Sequence, residues 1–218
     1  MPSYTVKQGD HLSKIAEKNG FGDYRALWDH PQNSQLKQKR ENPNVLYPGD
    51  VLYVPEKECK DESGATEQRH RFRVHSKNFV LRIVLKDFED EPVADAGCQL
   101  HLEGKVFSFR TDAHGRIEQT IPSTADGGVL IFDDPAAVPF DERIHIKIGH
   151  LDPVDTTSGI QARLNNLGYD AGPVDGNESE QIRSAIEEFQ CDTFKIASEV
   201  DGKCGPNTQS KLKKVHGC

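Results

Sequence analysis

Long apolar runs are missing from this 218-residue chain, and so is any surplus of positive charge. No stretch comes near the about 20 apolar residues that a membrane-spanning helix needs, so insertion into a bilayer is not expected. Lysine and arginine number 27 against 35 aspartates and glutamates, for a net charge of −8. With no basic stripe to displace phosphate counterions, nucleic acid is not an expected partner. Metal-ligand spacings are lacking as well. His70, His75, His101, His114, His145 and His150 crowd the middle of the chain, but there is no H-E-x-x-H and no C-x-x-C, so neither a metal nor another cofactor is expected. Cysteine is sparse and odd in number: of Cys59, Cys98, Cys191, Cys204 and Cys218 at least one is unpaired within the chain. Cys191 and Cys204 lie at the ends of one loop, as a bridge or, in the favoured reading, as two reduced thiols. Asp133-Asp134 and Glu187-Glu188 are neighbours in sequence and do not face each other across a cleft as the carboxylates of a glycosidase do. No constellation for catalysis emerges, and a non-enzyme is expected.

What is present begins at once. YTVKQGDHLSKIA and, after a gap, NPNVLYPGDVLYVP each contain a short strand-like run next to a Gly-Asp pair, Gly9-Asp10 and Gly49-Asp50. Between them Leu12, Ile15 and Ala16 fall on one helical face, with Asp10 placed to accept from the open amides of that helix and Gly20 to end it. Tyr24, Leu27 and Trp28 share a face of a second helix, where Trp28 reads as core, and Pro48-Gly49 turns the chain into a closing strand. These residues, roughly the first quarter of the chain, resemble a LysM domain, a β-α-α-β unit that binds N-acetylglucosamine-containing glycans, mainly peptidoglycan and chitin, without chemistry. The resemblance implies a shallow glycan groove between the loop after the first strand, Gly9, Asp10, His11 and Leu12, and the loop before the last, Asn42, Pro43, Asn44, Val45 and Leu46. Residues 30–45 are longer and more basic than the family's usual connection. Lys37, Lys39 and Arg40 there read equally as extra contacts to an anionic glycan or partner and as a solvated helical extension.

The middle of the chain has the period of strands. Residues 79–85 are almost wholly apolar, and Leu100 alternates with Leu102, Phe107 with Phe109, Val129 with Ile131, and Ile144 with Ile146 and Ile148, with DFEDEP, TDAHGR and STADGG as turns. A small antiparallel β-sandwich is expected. EDEPVADAGCQLHLEG followed by TDAHGRIEQTIP loosely resembles transthyretin-like or carboxypeptidase-regulatory-like modules, which implies a spacer or interaction domain.

Helical spacing returns near the end. Ile160, Leu164 and Leu167 mark one helix, Ile182, Ala185, Ile186 and Phe189 a second, and Thr208, Leu212 and Val215 a third. Val174-Asp175-Gly176 recurs as Val200-Asp201-Gly202, so two helices are preceded by like turns, in which Asp175 and Asp201 read as turn formers. The segments TSGIQARLNNLGYDAGPVDG, SEQIRSAIEEFQ and VDGKCGPNTQSKLKKV resemble the three-helix peptidoglycan-binding domain carried by many cell-wall hydrolases. The sequence departs from that family's pattern at residues 177–181. The resemblance implies a second wall contact, with Tyr169, Asp175, Gly176 and Gln190 as its candidates.

The periods change from helical to alternating and back, which predicts a multidomain α+β chain: residues 1–56, a polar linker 57–69, a β-sandwich 70–150 and a three-helix bundle 151–218. The function implied is non-catalytic binding of peptidoglycan or a chitin-type glycan. The alternatives are a structural adaptor that uses the same domains for protein contacts and, least favoured, a wall hydrolase with an unrecognised site. MPSYTVKQGD runs into the first strand with neither a basic n-region nor an apolar h-region, so synthesis in the cytoplasm and export by a non-classical or contractile route are expected. The segment YRALWDHPQNSQLKQKRENPNVLYPGDVLYVPE resembles LysM proteins of type VI secretion gene clusters, which implies a spike or effector protein as a further partner.

Overall fold

The structure is a computed structural model that describes residues 3–57, 63–71, 79–87, 89–134, 138, 143–194 and 196–218. It contains both helices and antiparallel sheets, and it divides into two compact units: Met1–Asn44 with Pro48–Gly149, and Val45–Tyr47 with His150–Cys218. The expected linker residue Cys59 and the histidine His75 lie outside the described residues.

In the first unit, β1 (Ser3–Thr5) pairs antiparallel with β2 (Val51–Tyr53), Tyr4 opposite Leu52. Val6 prolongs the pairing through bonds to Asp50 and Gly49. Between the strands run α1 (Leu12–Lys18), α2 (Arg25–Trp28), a 3-10 turn Pro31–Asn33 and α3 (Ser34–Arg40). Leu12, Ile15, Leu27, Trp28 and Leu52 are buried as their spacing predicts. One expectation needs correction. Asp10 does not cap α1: it accepts from Tyr4 Oη at 2.7 Å and the Lys7 amide at 3.0 Å, tying the loop back to β1. The cap is His11, whose Nδ1 accepts from the Lys14 amide at 3.4 Å. The basic segment forms a third helix, as one of its two readings had it, with Leu36 buried and Ser34, Gln35, Lys37, Gln38 and Lys39 exposed.

The same unit holds six longer strands: β3 (Phe79–Val84), β4 (Gly97–Leu102), β5 (Lys105–Arg110), β6 (Arg116–Ile121), β7 (Gly127–Phe132) and β8 (Arg143–Lys147). β3 pairs with β6, and the other four form an antiparallel sheet in the order β5-β4-β7-β8. Leu85, Cys98, Leu100, Leu102, Ile117, Ile121, Leu130 and Phe132 belong to one buried cluster, with Phe79, Leu81 and Ile83 packed on it. β7 reverses the expected parity: Leu130 and Phe132 point inward, not Val129 and Ile131. Register decides this, because Leu130 lies opposite Leu100 and Phe132 opposite Cys98, both on the inner face of β4. β3 alternates as well, leaving Val80 and Val84 exposed.

In the second unit α4 (Thr157–Asn166), α5 (Glu180–Phe194) and α6 (Pro206–His216) share a core of Ile160, Leu164, Ile182, Ala185, Ile186, Phe189 and Leu212. Thr156 Oγ1 caps α4 by accepting the Gly159 amide at 3.1 Å. Arg163, fully buried, donates to the carbonyls of Asp152, Gly159 and Cys218 at 2.8–2.9 Å, fixing both ends of the unit on α4. Val215 departs from expectation and is 47 % exposed. The heptad-like spacing that carries Leu212 inward reaches the last turn of α6 at Val215, one residue before His216 ends the helix under a left-handed Gly217 cap.

Candidate functional site

The amino-terminal loop is built by a left-handed Gly9, φ 82°, which lets the chain reverse after β1 and deliver Asp10 inward. Gly49, φ 93°, does the same before β2 and delivers Asp50. Both carboxylates are buried. Asp50 receives Arg40 in a two-pronged pair, Nε to Oδ2 at 2.6 Å and Nη2 to Oδ1 at 2.9 Å, with Lys39 Nζ at 3.5 Å. Lys37 pairs with Asp29 at 2.7 Å. Of the basic run, Arg40 is thereby buried against Asp50, while the side chains of Lys37 and Lys39 stay 47 % and 63 % exposed. Asn33 completes the frame. Its amide donates to the carbonyls of Leu27 and Tyr53 and accepts the Tyr53 amide, at 2.8–2.9 Å, so one buried side chain extends the edge of β2.

Gly9, Asp10, His11 and Leu12 are all buried. The Leu12 amide donates to the Pro43 carbonyl at 3.3 Å, which joins the two loops expected to flank the groove. The Gly9 carbonyl accepts Lys14 Nζ at 3.1 Å. On the opposite loop Asn42 Oδ1 accepts the Asn44 amide at 2.9 Å; Asn42 and Pro43 are half-buried, Asn44 is exposed, and Val45 and Leu46 are buried, the last two within the second compact unit.

Strand residues of the same unit cover this loop. Phe79 meets the His11 ring edge-on with centroids 5.2 Å apart. Lys14 forms an ion pair with Asp126, and Glu17 accepts a hydrogen bond from Ser123. A Cβ on Gly149 would stand 2.9 Å from His11 Cδ2 and 3.0 Å from the Gly9 carbonyl, so only glycine allows this approach. Burial, with Lys14 beside it, pushes the His11 imidazole down to about 4.

In the second unit, the repeated Val-Asp-Gly turns are each held by a buried glutamine. Gln161 Oε1 accepts the amides of Asp175 and Gly176 at 3.2 and 2.9 Å, while its Nε2 donates to Asp175 Oδ1 and the Asn177 carbonyl at 3.1 Å. Gln190 Oε1 accepts the amides of Asp201 and Gly202 at 3.0 Å, while its Nε2 donates to Asp201 Oδ1, the Lys203 carbonyl and Thr208 Oγ1 at 3.0–3.1 Å. These bonds hold the carboxylates of Asp175 and Asp201 below their usual range. Tyr169 stands edge-on to Phe189 and donates to Asp192 at 3.0 Å. The four residues expected to form a second wall contact thus bond within the unit. Beside Gln190 an open cleft of about 410 Å³ is lined by Phe194, Glu199, Lys203 and Asn207.

Among the described residues no group of three His, Cys, Asp or Glu side chains could hold a metal ion, and no helix is long and apolar enough to cross a membrane. Cys98, Cys191, Cys204 and Cys218 are free thiols.

Compared with known proteins, the chain matches the LysM domain family over residues 4–23 and the peptidoglycan binding domain family over residues 156–212. Both families are binding modules, not catalytic ones, and together they support peptidoglycan binding at the cell wall. No curated protein and no solved structure matches the chain.

Proposed function

We propose that this chain is a non-catalytic peptidoglycan-binding protein that takes N-acetylglucosamine-containing glycan between residues 9–12 and residues 42–46. The observation that carries the reading is the pair of wall-binding family matches, one at each end of the same chain. The loops suit such a ligand because amides and carbonyls held at fixed positions recognise acetamido groups, and an apolar group such as Pro43 suits a sugar face. The β-sandwich between serves as spacer, and the three-helix bundle as a second wall contact whose free surface is the cleft beside Gln190. Two weak sites on one chain gain from intramolecular engagement, by about a hundredfold where the geometry lets both reach. Export through a contractile system of the type VI class, with action at the wall or in the periplasm and a spike or effector protein as partner, is the finer part of the proposal and rests on the sequence resemblance of residues 24–56.

A second reading, a structural adaptor, is favoured by the burial of residues 9–12, with Phe79 against His11 and Gly149 against the Gly9 carbonyl. Co-sedimentation of the folded full chain with purified sacculi separates the two. Saturable binding released by N-acetylglucosamine oligomers supports wall recognition, and a folded chain that stays in the supernatant leaves the adaptor. Release of dye from labelled sacculi by the same preparation would instead establish a hydrolase.

A further inference from the structure

The first helix is buried on two sides. Leu12, Ile15 and Ala16 form the stripe that faces the unit's own core, as spacing requires. Ser13 and Lys14 lie off that stripe, yet their exposures are only 8 % and 7 %. Glu17 shares a face with Ser13, four residues on, and with Lys14, three residues on. That face is the one met by the loop between β6 and β7: Ser123 donates to Glu17 and Asp126 pairs with Lys14. With Phe79 against His11 and Gly149 against the Gly9 carbonyl, three separate segments of the chain meet α1 and the loop before it.

We propose that the β-strand domain is a built-in cover for the LysM groove, so that the chain binds glycan only from an open state in which residues 123–126, Phe79 and Gly149 have left α1 and the loop before it. This rests on the wall-binding reading above. The cover has the makings of a separable contact. It is held by a pair between a buried lysine and an aspartate whose side chain is 66 % exposed, by the Ser123–Glu17 hydrogen bond and by one aromatic edge, which are contributions of modest size. It also carries a flaw: Ser13 Oγ is buried and has no hydrogen-bond partner among the described residues. An unsatisfied buried hydroxyl disfavours the closed arrangement and is relieved by water when the face opens. Closure lowers apparent affinity in proportion to the fraction of molecules that are open.

Two substitutions in the full chain push the balance in opposite directions. Asp126→Lys sets a like charge beside Lys14 and is expected to raise affinity for an N-acetylglucosamine pentamer about tenfold, with faster hydrogen exchange at the amides of residues 9–17. Ser13→Ala removes the unsatisfied hydroxyl and is expected to weaken binding several-fold in the wild-type background, with no effect once Asp126→Lys has opened the face. Equal affinities in wild type and Asp126→Lys, with binding present in both, would overturn the cover while leaving wall recognition intact. Loss of affinity on Ser13→Ala in both backgrounds would also overturn it, since Ser13 would then be a direct contact. If neither wild type nor Asp126→Lys binds the pentamer while exchange shows the face open, the glycan reading of the loop fails and takes the cover with it.

Discussion

The two ends of the chain use their candidate binding residues in different ways. In the helical unit Asp175, Gly176 and Gln190 bond to residues of the same unit, Gln190 from a buried position and Asp175 and Gly176 at the surface. At the amino end, His11 and Lys14 are met by residues more than 60 positions away in sequence, Phe79 and Asp126, within the same compact unit. Burial that comes from a module's own core is a matter of stability. Burial that comes from a neighbour is a matter of equilibrium, and it can be shifted.

The comparison can be broken most forcefully at Asp50. Its pair with Arg40 is 4 % exposed on both sides, and Asp50→Ala leaves a buried guanidinium without its carboxylate, an expected cost of about 3–5 kcal/mol seen as a lower urea midpoint. Arg40→Met with Asp50→Leu should recover most of that loss, because replacing both charges by apolar groups removes the desolvation cost as well.

Acid comes next, and it acts on the amino end. His11 is held at about 4 against an ordinary 6.5, by burial first and then by Lys14, with Asp10 and Asp126 opposing and Lys18 assisting. The depressed imidazole must stay neutral in the native state. Its contribution is therefore complete above about pH 6.5 and is lost as pH falls towards 4, by about 3 kcal/mol at most. Unfolding followed from pH 7.5 to 4.5 should show this slope in the wild type and a shallower one in His11→Asn, whose side-chain oxygen can still cap α1.

Gln190→Ala sharpens the other side. It leaves two backbone amides and a threonine hydroxyl short of partners, at an expected cost of about 2–3 kcal/mol in the thermal or urea unfolding of the helical unit. Gln161→Ala should cost somewhat less, because the threonine bond has no counterpart there. The smallest effect is expected at Val215. Being half exposed, Val215→Ala should stay within about 0.5 kcal/mol, whereas Leu212→Ala three residues earlier should cost about 2–5 kcal/mol.

Periodicity made much of this legible. Leu12, Ile15, Leu27, Trp28, Leu100, Leu164 and Phe189 are buried where their spacing puts them. Parity in β7 was not legible, because GGVLIF is apolar on both faces and only its pairing with β4 chooses Leu130 and Phe132. The Val-Asp-Gly echo was visible, but its glutamines were not: Gln161 precedes its aspartate by 14 residues and Gln190 by 11, so no fixed period joins them. Asp10 resembled a helix cap because caps are judged from local sequence, and its real partner, Tyr4, reaches it from the preceding strand. The cover over residues 9–12 left no local signal. Lys14 and Ser13 look like solvent-facing residues of an amphipathic helix, yet both are buried, and Lys14 meets Asp126 from the loop between β6 and β7.

The central claim, that residues 9–12 and 42–46 form a glycan site, is tested most directly by residue-resolved amide chemical shifts of the full chain titrated with an N-acetylglucosamine pentamer. The account predicts saturable shifts centred on Gly9, His11, Leu12, Asn42 and Asn44, larger at a given ligand concentration in Asp126→Lys than in the wild type. Saturable shifts confined to other residues, or none in either protein while both remain folded, would contradict it.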